Sequence, residues 1–559
     1  MKSKIRSAVY LFLALLILLM PACGYIPDGE RGTVKFSYME YSRPDTKELY
    51  AFLDGVRDTI ASPDSEYAEK LEALNSVNSP YWDFYTMCEL ADIRYTIDMT
   101  NEFYKEESAY LDGEFARFAE KIENIYTACA DSEYKDSFEE DYFGIGGLDG
   151  YGSSEGGGVY DEVAVELYSQ EAKIIDEYYA LMLEPTLVRD GREVPLNELL
   201  SAVPAEDEEG RYRIYNEFLE AYGDRAADIY LRLLDVREKI AQHYGYDSYA
   251  ELCVTDLHGF TYEELKGYIE DIALLSGPLY DDAVNRTKEL LASLEPSKNT
   301  LNAVKRIMKS VSDELSDVYA FMTKYELCDI EPSETKLQGA YTSYIDWYEA
   351  PFIVMNGTGF NEDIITLCHE FGHFAHAYYN YGYTGDTETA EFASQGLELI
   401  AAKHYEKAGI GKKQAEILRE YTLLSLFEEQ LYQCYITEFE IACYDLPKEE
   451  RTKERLAQIS LSVAKSFGMD NMGTDMRYAY IDIQHIFNSP LYCSGYIMSL
   501  DGALQLYAME EGRDTEVYLA FITSNEYGYL NILEEVGLEA PFGKDRLEAC
   551  RDLLAGSVN

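Results

Sequence analysis

Residues Ile365–Asn380 read ITLCHEFGHFAHAYYN and hold three of the seven histidines in a chain of 559 residues. His369 and His373 are four apart, and in a helix that spacing puts two side chains on one face, a turn from each other. Two imidazoles so placed can share one Zn²⁺ at about 2.0–2.1 Å each. Glu370 stands between them, where it can reach a water on the metal as general base; the pattern is H-E-x-x-H. The alternative is a helix that carries satisfied surface histidines. A catalytic zinc also needs a third protein ligand and an open position for water. The stretch TETAEFASQGLELIAAKH, from Thr387, offers Glu391 and Glu398, nearly on one helix face. Glu391 could close a His₂Glu set, and Glu398 could hold a ligand histidine through its other ring nitrogen. His376 also lies on the motif face and is read as a supporting or structural residue. Zinc, one per chain, is the expected metal, although His₂Glu suits several divalent ions.

Local elements must position these groups. APFIVMN, Ala350–Asn356, is a β-branched apolar run that predicts a strand just before the motif. Asn361 is placed to cap a helix continuing through Ile364, Ile365, Leu367, Phe371 and Phe374. Farther upstream, Ile229, Leu233, Val236 and Ile240 recur at helical spacing, with Gly245 where a stop is expected and His243 packed at the helix end. Proline is scarce, at 15 residues, and the whole reads as mainly α with a small β-sheet beside the H-E-x-x-H helix. A first helical region covers 36–195, broken by the Gly/Ser-rich loop 144–158, GIGGLDGYGSSEGGG, which reads as surface. A second region covers 196–559.

The chain carries 47 basic and 103 acidic residues, a net charge of −56. Such a surface repels phosphate backbones, which argues against nucleic acid as a partner. At the N-terminus, Lys2, Lys4 and Arg6 precede an apolar run from Ala8 to Met20, suited to a signal peptide and short for a membrane span. Leu19–Cys23 resembles a bacterial lipobox. Residues 1–22 are therefore expected to be a lipoprotein signal, Cys23 the lipidated residue, and 23–35 a tether. The expected location is the outer face of a bacterial cytoplasmic membrane, with secretion as the alternative and no membrane contact beyond the anchor. No obligate protein partner is evident. The ten cysteines contain no C-x-x-C pair and read as mostly buried thiols, Cys368 among them.

Several blocks resemble the thimet oligopeptidase and oligoendopeptidase F family of zinc metallopeptidases. They are HEFGH with its nearby histidine and aromatic pair, PFIVMNGTGFNEDIITL after KLQGAYTSY, AEFASQGLE, and QHIFNSPLYCSGYIMS. VKFSYMEYSRPD, REKIAQHYGYDSYAEL and YLAFITSNEYGYLNILEEVGLEAP are similar as well. The resemblance implies that Glu391 is the third zinc ligand and that His485, Tyr492 and Tyr496 contact the reacting carbonyl. It implies a multi-helix, two-lobed body with a deep substrate channel and makes 196–559 the catalytic domain. The implied activity is endopeptidase cleavage of short unstructured peptides. The loop between His373 and Glu391 is shorter than the family's, and the Gly-rich insertion has no counterpart there. Two other readings share these residues. One is a peptide-binding lipoprotein that has lost hydrolysis; the other is a zinc carboxypeptidase or dipeptidase.

Overall fold

The computed structural model describes residues 33–144, 147–148, 151, 162–204, 207–257 and 259–556. The expected signal peptide, Cys23 and most of the loop 144–158 lie outside these residues. Among the described residues helices dominate, and five short strands form two sheets. No described helix is long and apolar enough to cross a membrane. Packing divides the chain into two units, each assembled from stretches separated in sequence.

One unit joins Glu166–Glu295 to Gly385–Asn559. Near its start, β1 (Thr186–Arg189) and β2 (Arg192–Pro195) form an antiparallel hairpin that the helical reading of 36–195 misses. Asp190 and Gly191 both have positive φ, 52° and 77°, as a two-residue hairpin turn requires, and Asp-Gly is the dipeptide suited to it. Helix Glu208–His243 starts at Asp207, whose carboxylate accepts the Gly210 N–H at 2.9 Å. It ends where Gly245 enters the left-handed region, at φ 84°. Helix Thr387–Lys403, the glutamate helix, is buried on nearly every face and packs lengthwise on helix Cys493–Ala508, the tyrosine helix. Glycine permits that closeness: a Cβ on Gly495 would lie 2.7 Å from the Thr387 side chain, and one on Gly502 3.0 Å from the Phe392 ring.

The other unit joins Lys2–Val165 to Pro296–Thr384. Its helices Thr46–Ala61, Asn78–Ile97 and Glu102–Ala130 close on Leu53, Ile60, Phe84, Phe118 and Ile125. Asp45 and Asn101 cap the first and third by accepting the N–H groups of Glu48 and Tyr104. A three-stranded sheet follows in the order β3 (Cys328–Asp329), β5 (Ala350–Met355), β4 (Ala340–Ile345). β5 is the apolar run expected as a strand. All six of its residues are buried because it is central, parallel to β3 and antiparallel to β4. The motif helix, Asp363–Tyr379, packs on β4, β5 and helix Thr300–Val311.

The start of the motif helix corrects one expectation. Asn361 is not its cap; Glu362 precedes the first residue and makes no side-chain capping bond. Asp363 closes the entry turn instead, accepting the N–H groups of Thr358 at 2.7 Å and Gly359 at 2.9 Å. The nine described cysteines are free thiols, seven of them buried, and Cys368 is fully enclosed.

Candidate metal centre

On the motif helix the rings of His369 and His373 lie with centroids 5.1 Å apart, one turn from each other. The ligand atoms of His369, His373 and Glu391 lie within 4.8 Å of one another. Two imidazole nitrogens and one carboxylate oxygen are a donor set that suits Zn²⁺ and leaves a fourth position for water, so these residues fit the metal. Glu398 is also buried on the glutamate helix but is not one of the three.

Glu370 is 6% exposed. Thr342 Oγ1, on β4, donates to Glu370 Oε2 at 2.7 Å, with the Glu370 carbonyl 3.0 Å away. The hydroxyl fixes one of the two carboxylate oxygens. The Thr342 partner was missed from sequence. A threonine in AYTSY reads only as a strand residue, and its contact depends on how β4 meets the helix. Ser394, also missed, donates to Glu391 Oε2 at 3.0 Å from three residues along the same helix, a spacing that could have exposed it.

His376 is 5% exposed, and its Nδ1 has no hydrogen-bond partner. Burial, then the neighbouring His373, push its pKa down to about 3, so it is a neutral imidazole packed under the motif.

His485, Tyr492 and Tyr496 gather in the same unit as Glu391. The His485 ring stacks on Tyr492 at 5.1 Å, and Tyr492 meets Tyr496 edge-on at 5.7 Å. Burial first, then the Glu391 charge, raise the Tyr496 phenol well above its ordinary pKa. The same causes push Tyr492 up to about 12, while burial lowers His485. At neutral pH both phenols therefore keep their protons and remain hydrogen-bond donors.

Two family models match the chain: the peptidase M3 N-terminal domain over residues 36–145, and peptidase family M3 over residues 308–518. Oligopeptidase PepF of Bacillus subtilis (strain 168) is 25% identical over 273 residues, which cover 45% of this chain and 40% of that protein. The match thus spans well under half of that relative's length. The fold is similar to that of PZ peptidase A, solved with an inhibitor, at a TM-score of 0.73 and 22% identity over 94% of this chain and 99% of that one. It is also similar to oligoendopeptidase-F of Enterococcus faecium, at a TM-score of 0.60 and 16% identity over 92% of this chain and 98% of that one.

Proposed function

The chain belongs to peptidase family M3, and on that footing we propose that it is a zinc-dependent endopeptidase acting on short unstructured peptides. The observation that carries this reading is the convergence of His369, His373 and Glu391 ligand atoms within 4.8 Å, with Glu370 on the same helix turn as the two histidines. Zinc bound there would acidify a coordinated water and polarise a carbonyl. Glu370, anchored by Thr342 through Oε2, takes a proton on Oε1 as water attacks the scissile carbonyl and hands it to the departing amine. Tyr496 and His485 donate hydrogen bonds to the oxygen on which negative charge develops.

The test is cleavage of an internally quenched peptide blocked at both ends, with and without a chelator. An endopeptidase cuts it internally, whereas a carboxypeptidase cannot start. Cleavage that survives complete removal of metal sinks the zinc reading. Metal binding without cleavage leaves a peptide-binding protein.

Two side chains test the assignment further. Tyr496→Phe removes one donor and is expected to lower kcat about 10²–10³-fold. Steady-state rates within threefold of wild type would remove Tyr496 from the mechanism. Thr342→Val keeps the β-branched shape and loses the hydroxyl. It is expected to lower kcat about 10-fold, the scale of one hydrogen bond to a charged group, with KM nearly constant. An unchanged kcat would show that Glu370 is held without it.

The location we propose, the outer face of the membrane through lipidated Cys23, rests on the N-terminal sequence alone. Mass spectrometry of the mature N-terminus checks it: an unmodified terminus would favour secretion.

A further inference from the structure

We propose that Arg237 and Glu440 are positioning residues for this hydrolysis, holding the turn Ile486–Leu491 so that His485, Tyr492 and Tyr496 meet the reacting carbonyl. The inference rests on the peptidase reading above and concerns how its donors are aimed.

All the groups involved belong to one unit. Arg237, on helix Glu208–His243, has a fully buried side chain. Its Nε donates to Glu171 Oε1 at 2.6 Å and its Nη1 to the Tyr444 hydroxyl at 2.9 Å. The rest of the fork reaches backbone: Nη1 donates to the Ile486 carbonyl at 3.1 Å and Nη2 to the Phe487 carbonyl at 2.6 Å. These are the two residues directly after His485. Glu440, equally buried on helix Lys412–Tyr444, takes the next contact with the turn. Both its carboxylate oxygens accept the Leu491 N–H at 3.2 Å, one residue before Tyr492.

Leu491 has φ 59°, in the left-handed region that a leucine rarely occupies. A residue held there needs its surroundings to fix it, and the Glu440 carboxylate fixes its amide. The turn is clamped from a third side as well. The Tyr178 ring stacks on Phe487 at 3.8 Å and 6°, and Asn488 Nδ2 donates to the Tyr179 hydroxyl at 2.6 Å. His485 and Tyr492 thus enter and leave a segment whose backbone is fixed at Ile486, Phe487 and Leu491.

Stability alone does not account for such an arrangement. An ion pair buried in apolar surroundings is weak support for stability, and packed apolar side chains commonly serve as well. A guanidinium adds direction, because its planar fork sets two acceptors at fixed angles. Here both backbone acceptors lie in the turn that leads from His485 to Tyr492.

The experiment compares wild type, Glu440→Ala, Glu440→Gln and Tyr444→Phe in the full chain, reading kcat, KM and zinc content with the doubly blocked peptide. Small misplacements of reacting groups are costly, so Glu440→Ala is expected to lower kcat about 10- to 100-fold with KM within about threefold. Zinc content should stay at one equivalent, since no ligand is touched. Glu440→Gln keeps an oxygen facing the Leu491 amide and should recover most of that loss. Tyr444→Phe removes one hydroxyl and almost no volume. It keeps the fold testable if Glu440→Ala does not fold, with an expected fall in kcat of about threefold. The proposal is overturned by full kcat in Glu440→Ala, by equal losses in the Ala and Gln variants, or by unchanged kcat in Tyr444→Phe where Glu440→Ala does not fold. A loss carried wholly by KM also overturns it. A wild type that cleaves nothing overturns the peptidase reading, and this proposal with it.

Discussion

Glu370→Gln is expected to abolish peptide cleavage, with kcat falling about 10³-fold or more, while the protein still binds one equivalent of zinc. The amide has nearly the shape of the carboxylate and can still accept the Thr342 hydroxyl on its oxygen. It cannot accept a proton at neutral pH, so proton transfer from water to the amine loses its carrier. Glu370 is not among the three residues whose ligand atoms converge, so metal content should not follow activity. Both quantities are measured on the same preparation, by elemental analysis and by hydrolysis of the blocked peptide. Residual activity within tenfold of wild type would transfer the base role to another group. Loss of zinc together with activity would make Glu370 a structural support of the centre.

Removing Glu391 is the second large effect. Glu391→Ala deletes one of three converging donors and the only charged one, leaving two imidazoles. Zinc content of the purified protein should fall from one equivalent to a small fraction, and cleavage should fall with it. Glu398→Ala is the control. Glu398 lies outside the converging three, so its removal should weaken zinc affinity by about 10–100-fold at most if it supports a ligand histidine. Saturating zinc should then restore most of the activity. Melting temperature supplies an independent readout. A metal at about 100 times its Kd stabilises the folded state by about 2.7 kcal/mol, so wild type and Glu398→Ala should melt higher with added zinc. Glu391→Ala should not. If the two glutamate variants behave in the opposite sense, Glu398 is the ligand.

Much of the site was legible because it is written in helical periodicity. That His369 and His373 share a face follows from their spacing of four, and that Glu391 and Glu398 share one follows from a spacing of seven. The strand before the motif was visible as a run of β-branched and aromatic residues, and the end of helix Glu208–His243 was visible in Gly245. Local chemistry also misled. Asn361 has a good capping side chain, yet the helix begins only at Asp363, with Glu362 in the position before it. The hairpin at Asp190-Gly191 was overlooked because four-residue strands are too short to show alternation.

The sequence by itself determined the donor types, their order and the helix faces on which they stand, because a side chain's direction along a helix depends only on its index. It also determined the net charge of −56, since charge is composition. Only the tertiary structure decided what holds those donors. Thr342 meets Glu370 from 28 residues away, Glu440 meets Leu491 from 51, and Arg237 meets Phe487 from 250. No periodicity connects such partners. A buried carboxylate or guanidinium must find its hydrogen bonds wherever packing brings polar atoms within reach, and that is fixed by how helices and strands close on one another.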